Sequence, residues 1–186
     1  MSEGNVWLQL LAPVVADLPP NVRDVWQYGA TEMINNAVDH SGSEGSERVH
    51  VGIRRNALFT QVWVTDDGEG IFLRIRRALD LFDPREAILE LAKGKFTTDP
   101  ERHSGEGIFF SSKVFDVFDI RSGLLHFSDD DGTVDVFFER AADAPGTTVF
   151  MQLANDSPRT TREVFDKFAA PEEYTFAKTL VPVKLV

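Results

Sequence analysis

The chain contains no cysteine, so neither a disulfide nor a thiolate metal site can form. It has no apolar run long enough to span a bilayer, and its opening, MSEGNVWLQLL, lacks the basic stretch of a secretion signal. The expected compartment is the cytoplasm, with no membrane partner. Positive charge is scarce: 19 Lys and Arg stand against 30 Asp and Glu, a net charge of −11. A surface of that sign repels a phosphate backbone, whose binding depends on Lys and Arg neutralising phosphates, so a nucleic-acid binder is disfavoured. A small phosphorylated ligand held by local backbone amides and a metal ion stays compatible. Repeats and low-complexity tracts are also missing. What is present is 186 residues, 42% of them hydrophobic and 15 of them Phe, which is enough for one domain with a real core.

Periodicity divides the chain. Residues 6–17 (VWLQLLAPVVAD) read as short helix interrupted at Pro13, and LPP at 18–20 is a stop. Asn21 then stands as the cap of a long helix over 22–41. RVHVGIRR (48–55) and ALFTQVWVTD (57–66) alternate as strands do, with Asn56 at the turn, and predict a hairpin. Helical spacing returns over 71–93, broken near FDP at 82–84, and KGKFTTDPERHSGEG (93–107) has the composition of a long loop or lid. A helix starts after Gly107, and strands follow at VFDIRS, LLHFS, TVDVFFER and GTTVFMQLA. This order predicts an α/β (α+β) two-layer sandwich, one mixed sheet covered by helices on one face.

Three stretches carry chemistry. TEMINNAVDHS (31–41) places Glu32, Asn36 and Asp39 in one stripe of the long helix, beside an apolar stripe of Trp26, Ala30, Met33 and Ala37. Polar groups buried without partners cost about 1–3 kcal/mol each, so the polar stripe either faces solvent or receives a polar ligand. Amphipathicity alone favours solvent. VWVTDDGEGIF (62–72) delivers Asp66 at the end of a strand, and Gly68 and Gly70 then let the backbone turn tightly. An ionised carboxylate is acceptor-only and suits an exocyclic amine, although D-x-G-x-G also describes an ordinary acidic turn. HSGEGIFFSSK (103–113) sets a glycine pair at the mouth of a helix, whose unpaired N–H groups suit phosphate oxygens, with Lys93, Lys95, Arg102 and Lys113 around it. The G-K-[ST] ending of a P-loop is absent, and a plain helix-entry loop with surface lysines has the same look.

Taken in order, E-x-x-x-N on a helix, D-x-G-x-G after a strand, a G-x-G helix entry after a lid and a final GTT strand resemble the GHKL ATPase superfamily over roughly residues 20–154. That superfamily includes gyrase, histidine kinases and mismatch-repair ATPases, and its fold is called Bergerat. The resemblance implies ATP and Mg2+ as ligands. Asn36 would coordinate the magnesium ion, and Glu32 would be the catalytic base. Asp66 would take the adenine amino group with Thr147 in support, and Gly68 and Gly70 would give the base room. The amides of Gly105 and Gly107 would hold phosphates. Asp39, His40, Ile71, Lys95, Ser104, Glu106 and Ile108 would complete the nucleotide's surroundings.

Departures narrow the choice. His103 stands where the first glycine of the kinase-type glycine box would be, and Lys95, Arg102 and Lys113 are only candidates for a catalytic lysine. None of the four histidines lies in the H-[ED]-x-x-x-P pattern of a phosphoacceptor helix, so the chain is not expected to be a self-contained histidine kinase. It is closer to the anti-sigma-factor serine kinases and to stand-alone ATP-binding proteins that can carry a STAS-like domain. The expected organisation is a helical extension (1–20), an ATP-binding domain (21–155) and a tail (156–186) that resembles the start of a truncated STAS-like domain. The leading expectation is a regulatory Mg-ATP-binding module with slow hydrolysis that controls a protein partner. The alternatives are a serine/threonine protein kinase acting on a STAS-like antagonist, and a degenerate scaffold that binds no nucleotide.

Overall fold

The strands predicted from alternation assemble into one sheet in a computed structural model that describes residues 3–41, 48–92, 107–130, 134–139, 143–168 and 183–185. In chain order the six predicted strands are β1 (Val49–Arg55), β2 (Phe59–Asp66), β3 (Val117–Ser122), β4 (Leu125–Asp130), β5 (Val134–Glu139) and β6 (Thr147–Ala154), and a seventh that was not predicted for this sheet, β7 (Val183–Leu185), joins them. Their order across the sheet is β1-β2-β6-β3-β4-β5-β7. Every neighbouring pair is antiparallel except β5 and β7, which makes the sheet mixed. The β1–β2 turn forms as its asparagine predicts: the Asn56 carboxamide oxygen accepts from the Leu58 and Phe59 amides at 2.8 and 2.9 Å.

Alternation also decides which face is covered. On β2, Thr60, Val62, Val64 and Asp66 are buried, and on β6 Thr147, Val149, Met151 and Leu153 join them. The other face carries a Gln61–Gln152 hydrogen bond (2.7 Å), a Thr65–Thr148 hydroxyl pair (3.1 Å) and a Trp63–Phe150 edge contact. Half-open antiparallel sheets keep such polar pairs on the wet side. The helical layer covers the apolar face. It consists of α1 (Glu3–Val6), α2 (Ala12–Val15), α3 (Pro20–His40), α4 (Ile71–Ala78), α5 (Glu86–Ala92), α6 (Gly107–Val114) and α7 (Thr161–Phe168). Helix α3 lies over β1, β2 and β6, and α6 lies over β3. Trp26, Phe72, Phe109, Phe115 and Phe118 are among the largest fully buried side chains. The architecture is a two-layer α/β sandwich.

Three boundaries differ from expectation. Pro13 does not interrupt the first helical stretch. A π-helical segment, Trp7–Leu11, precedes it, and the Ala12 amide reaches back to Trp7 O, widening the coil where proline offers no donor. Asn21 is not the cap of α3, which begins one residue earlier at Pro20, where a first-turn proline sacrifices no bond. Its carboxamide donates instead to Ser157 O and Arg159 O at 2.8 and 2.9 Å, tying the helix start to the chain after β6. Helix α4 ends sooner than the FDP break. Asp80 turns left-handed (φ 51°), and the Leu81 amide closes on Arg76 O at 2.9 Å, a Schellman-type stop.

Candidate functional site

Helix α3 presents the two stripes that its sequence predicts. Trp26, Ala30, Met33 and Ala37 are buried, whereas Glu32 and Asn36 are half-buried and Asp39 is exposed. Asn36 and His40, one turn apart, face the end of β2 across a cleft. Asp66 ends β2 in direct register with Thr147 of β6. The strand pairing therefore unites two motif residues that are far apart in the chain.

The Asp66 carboxylate is fixed by backbone donors. Oδ1 accepts from the Gly68 amide at 2.9 Å and the Thr147 amide at 3.3 Å. No described group donates to Oδ2. Burial pushes its pKa up, opposed by those two amides and by the charge of Arg74, while Asp67 adds to the rise. The Thr147 hydroxyl accepts from the Ile71 amide at 3.0 Å, which pins the start of α4 to β6. Gly70 makes that turn possible. Its φ is +93°, and a Cβ there would lie 2.4 Å from the Ser122 hydroxyl.

Helix α6 forms the third wall and is held at both ends. Arg159 donates to Val114 O (3.3 Å) and Phe115 O (2.5 Å) at its C-terminus. Inside, Lys113 meets the fully buried Asp129 of β4 at 2.6 Å. This occupies an ammonium that the sequence offered as a candidate for phosphate or catalysis, and Lys113 does not line the cleft. At the N-terminus, Gly107 packs directly on Glu32. A Cβ at Gly107 would come within 2.1 Å of the Glu32 carboxylate, so a larger residue there would make that side chain shift.

These elements enclose a cleft. Met33, Asn36, Ala37 and His40 come from α3, Val64 and Asp66 from β2, Glu69, Gly70, Ile71 and Arg74 from the turn and α4, Ile108 from α6, and Thr147 and Val149 from β6. Its empty space, the open mouth included, is about 480 Å³. A wider hollow of about 1270 Å³ by the same measure lies beyond Gly68 and Glu69, walled by Phe72, Leu73, Ser122, Leu124 and Pro145 among others. Size favours the hollow. Convergence of polar groups favours the cleft, because the lone acceptor of Asp66 and the side chains of Asn36 and Thr147 meet there.

No family model and no curated protein matches this chain.

The motif residues divide as follows. Asn36, His40, Asp66, Gly70, Ile71, Ile108 and Thr147 line the cleft together. Gly68 serves it through the hydrogen bond to Asp66, although its own surface belongs to the wider hollow. Glu32 stands against Gly107 and not in the lining, and Asp39 is exposed and outside it. Lys95, Ser104, Gly105 and Glu106, with Lys93, Arg102 and His103, lie outside the described residues. Glu69 and Arg74 are wall residues that the motif reading missed. The signal for Arg74 was helical phase, since it lies three residues after Ile71 and so shares its face, whereas Glu69 lies in the turn before α4.

A magnesium ion takes oxygen ligands and is commonly held by one or two side chains together with phosphates. Among the described residues no group of three or more His, Asp or Glu could cage a metal. A single amide oxygen, such as that of Asn36 at the cleft, would suit such an ion only if phosphates supplied further ligands.

Proposed function

We propose that the cleft binds Mg-ATP and that the protein is a nucleotide-dependent regulatory module of the Bergerat, GHKL type. The observation that carries this reading is the meeting, at one cleft, of residues from motifs up to 111 positions apart: Asn36, Asp66, Gly70, Ile71, Ile108 and Thr147. In this reading Asp66 Oδ2, the carboxylate oxygen without a described donor, accepts the amine of adenine. Ile71, Met33 and Val149 sandwich the ring, and Asn36 supplies the amide oxygen for magnesium. Bound magnesium would neutralise phosphate charge in a protein whose own surface is acidic. The start of α6, which brings Ile108 to the cleft, would offer backbone amides to the phosphates, and Glu32, packed against Gly107, would act as a base on water or on a seryl hydroxyl. Conformational change around α6 would carry nucleotide state to a protein partner, with a STAS-like antagonist as the alternative substrate.

Calorimetric titration with adenosine and Mg-ATP tests this. Asp66→Asn should weaken both ligands, since it removes the carboxylate that holds the base. Asn36→Ala should weaken Mg-ATP far more than adenosine, because it acts through the metal and phosphates. Equal losses in Asn36→Ala would reduce α3 to a structural role, and an unaltered Asp66→Asn would take Asp66 out of the pocket.

A further inference from the structure

Arg74 is a cationic wall residue of the cleft with no task in base, metal or phosphate binding as described. It follows Ile71 by three positions on α4, and both side chains line the cleft. Its Nε is sealed from water and has no hydrogen-bond partner among the described residues. An arginine cannot lose its proton in a protein and is purely a donor, so a buried N–H of the half-buried Arg74 calls for an acceptor. Here none of the described carboxylates pairs with it. Asp66, Glu69 and Asp39 act on Arg74 only through their fields, and Glu69 is engaged by Arg77 at 2.6 Å.

A sealed donor in the wall of a cleft calls for an acceptor on whatever fills the cleft. At the base end the two charged groups are complementary: Asp66 can only accept, and Arg74 can only donate. A ring that carries an amine next to a ring nitrogen lone pair satisfies both. A ring with a carbonyl in the amine's place sets its oxygen against Asp66, and where the contacted nitrogen is N1, which a 6-oxopurine protonates, it sets a donor against Arg74 as well. We propose that Arg74 is a specificity-determining residue, donating an N–H to a ring nitrogen of a 6-aminopurine whose amine is held by Asp66. The assignment rests on the nucleotide-binding reading and adds the group that separates adenine from 6-oxopurines.

The test is titration of the wild type, Arg74→Gln and Arg74→Lys with adenosine, ADP and the three deaza-adenosines that lack N1, N3 or N7. Arg74→Gln should weaken adenosine and ADP by the same factor, about ten- to a hundredfold, as for a hydrogen bond from a charged donor. Arg74→Lys should recover part of the loss. One deaza analogue should bind the wild type poorly and lose nothing more in Arg74→Gln, because the same contact is already gone. Loss confined to ADP would make Arg74 a phosphate ligand and overturn the assignment, as would unchanged affinities or additive losses with all three analogues. Should Arg74→Gln fail to fold, Arg74→Lys against the same analogues reads the same coupling. A wild type that binds neither adenosine nor ADP removes the nucleotide reading itself and Arg74's role with it. A wild type that binds both, with an indifferent Arg74→Gln, removes only the latter.

Discussion

Asp66 can hold an amine only while it is ionised, so its protonation sets a pH window. Burial raises its pKa above the ordinary 3.8, despite the Gly68 and Thr147 amides and the charge of Arg74. A folded-state pKa above the unfolded one means that the folded protein takes up the proton first as pH falls. ADP affinity should thus be full at neutral pH and begin to fall, on acidification, above the range of an ordinary aspartate. Titrations from pH 7 to pH 4 check this, and a flat profile would show that the base is held without Asp66. The same raised pKa is a cost to stability at neutral pH that disappears as pH falls through it. Asp66→Asn should therefore melt at or above the wild type without ligand while losing most of the ligand-induced shift. Glu32 is the opposite kind of residue. It lies against Gly107 outside the cleft lining, so Glu32→Ala should leave ATP affinity nearly unchanged. If it is the base, phosphate release or phosphotransfer should drop about 10²–10⁴-fold. Unaltered turnover in the variant would assign Glu32 to packing alone.

At the level of elements, α6 is held by its ends and by one buried ion pair. Removing one member of such a pair strands a charge and typically costs about 3–5 kcal/mol, whereas replacing both with apolar groups is often neutral. Lys113→Met alone or Asp129→Leu alone should therefore lower the melting temperature by roughly 6–20 °C, at about 2–4 °C per kcal/mol for a chain of this size. The double variant should regain most of it. A double variant no better than the singles would show that the pair also positions α6 through other contacts. This pair was not legible in the sequence, because its partners lie 16 residues apart on a helix and a strand and no local pattern links them. Asn21 was misread for a related reason: its polar side chain serves carbonyls more than a hundred residues away. Strands were readable because alternation is local, and burial of Val62, Val64, Val149 and Met151 follows it directly. The site was readable where strand register does the assembling, as with Asp66 and Thr147. Arg74 on a short helix and Glu69 in the turn before it escaped because charged residues in such places read as solvent-facing until the opposite wall is known.

For the whole molecule, the cleft joins elements of both layers of the sandwich. Helix α3, strands β2 and β6, the α4 turn and the start of α6 each give it a wall. A ligand bound there touches both layers of the sandwich and binds only when they are assembled. Mass action then stabilises the native state by about 2.7 kcal/mol at a ligand concentration one hundred times Kd. At about 2–4 °C per kcal/mol, Mg-ADP at that excess should raise the melting temperature by roughly 5–10 °C. Adenosine at the same multiple of its own Kd should give an equal shift, because the linkage depends on saturation and not on the number of contacts. A GDP shift should be far smaller at equal concentration if Asp66 and Arg74 read the base as described. Thermal scans with the three ligands separate these outcomes. Equal shifts from ADP and GDP would mean that the phosphates alone carry binding. The absence of any shift at millimolar ADP would remove nucleotide from the cleft.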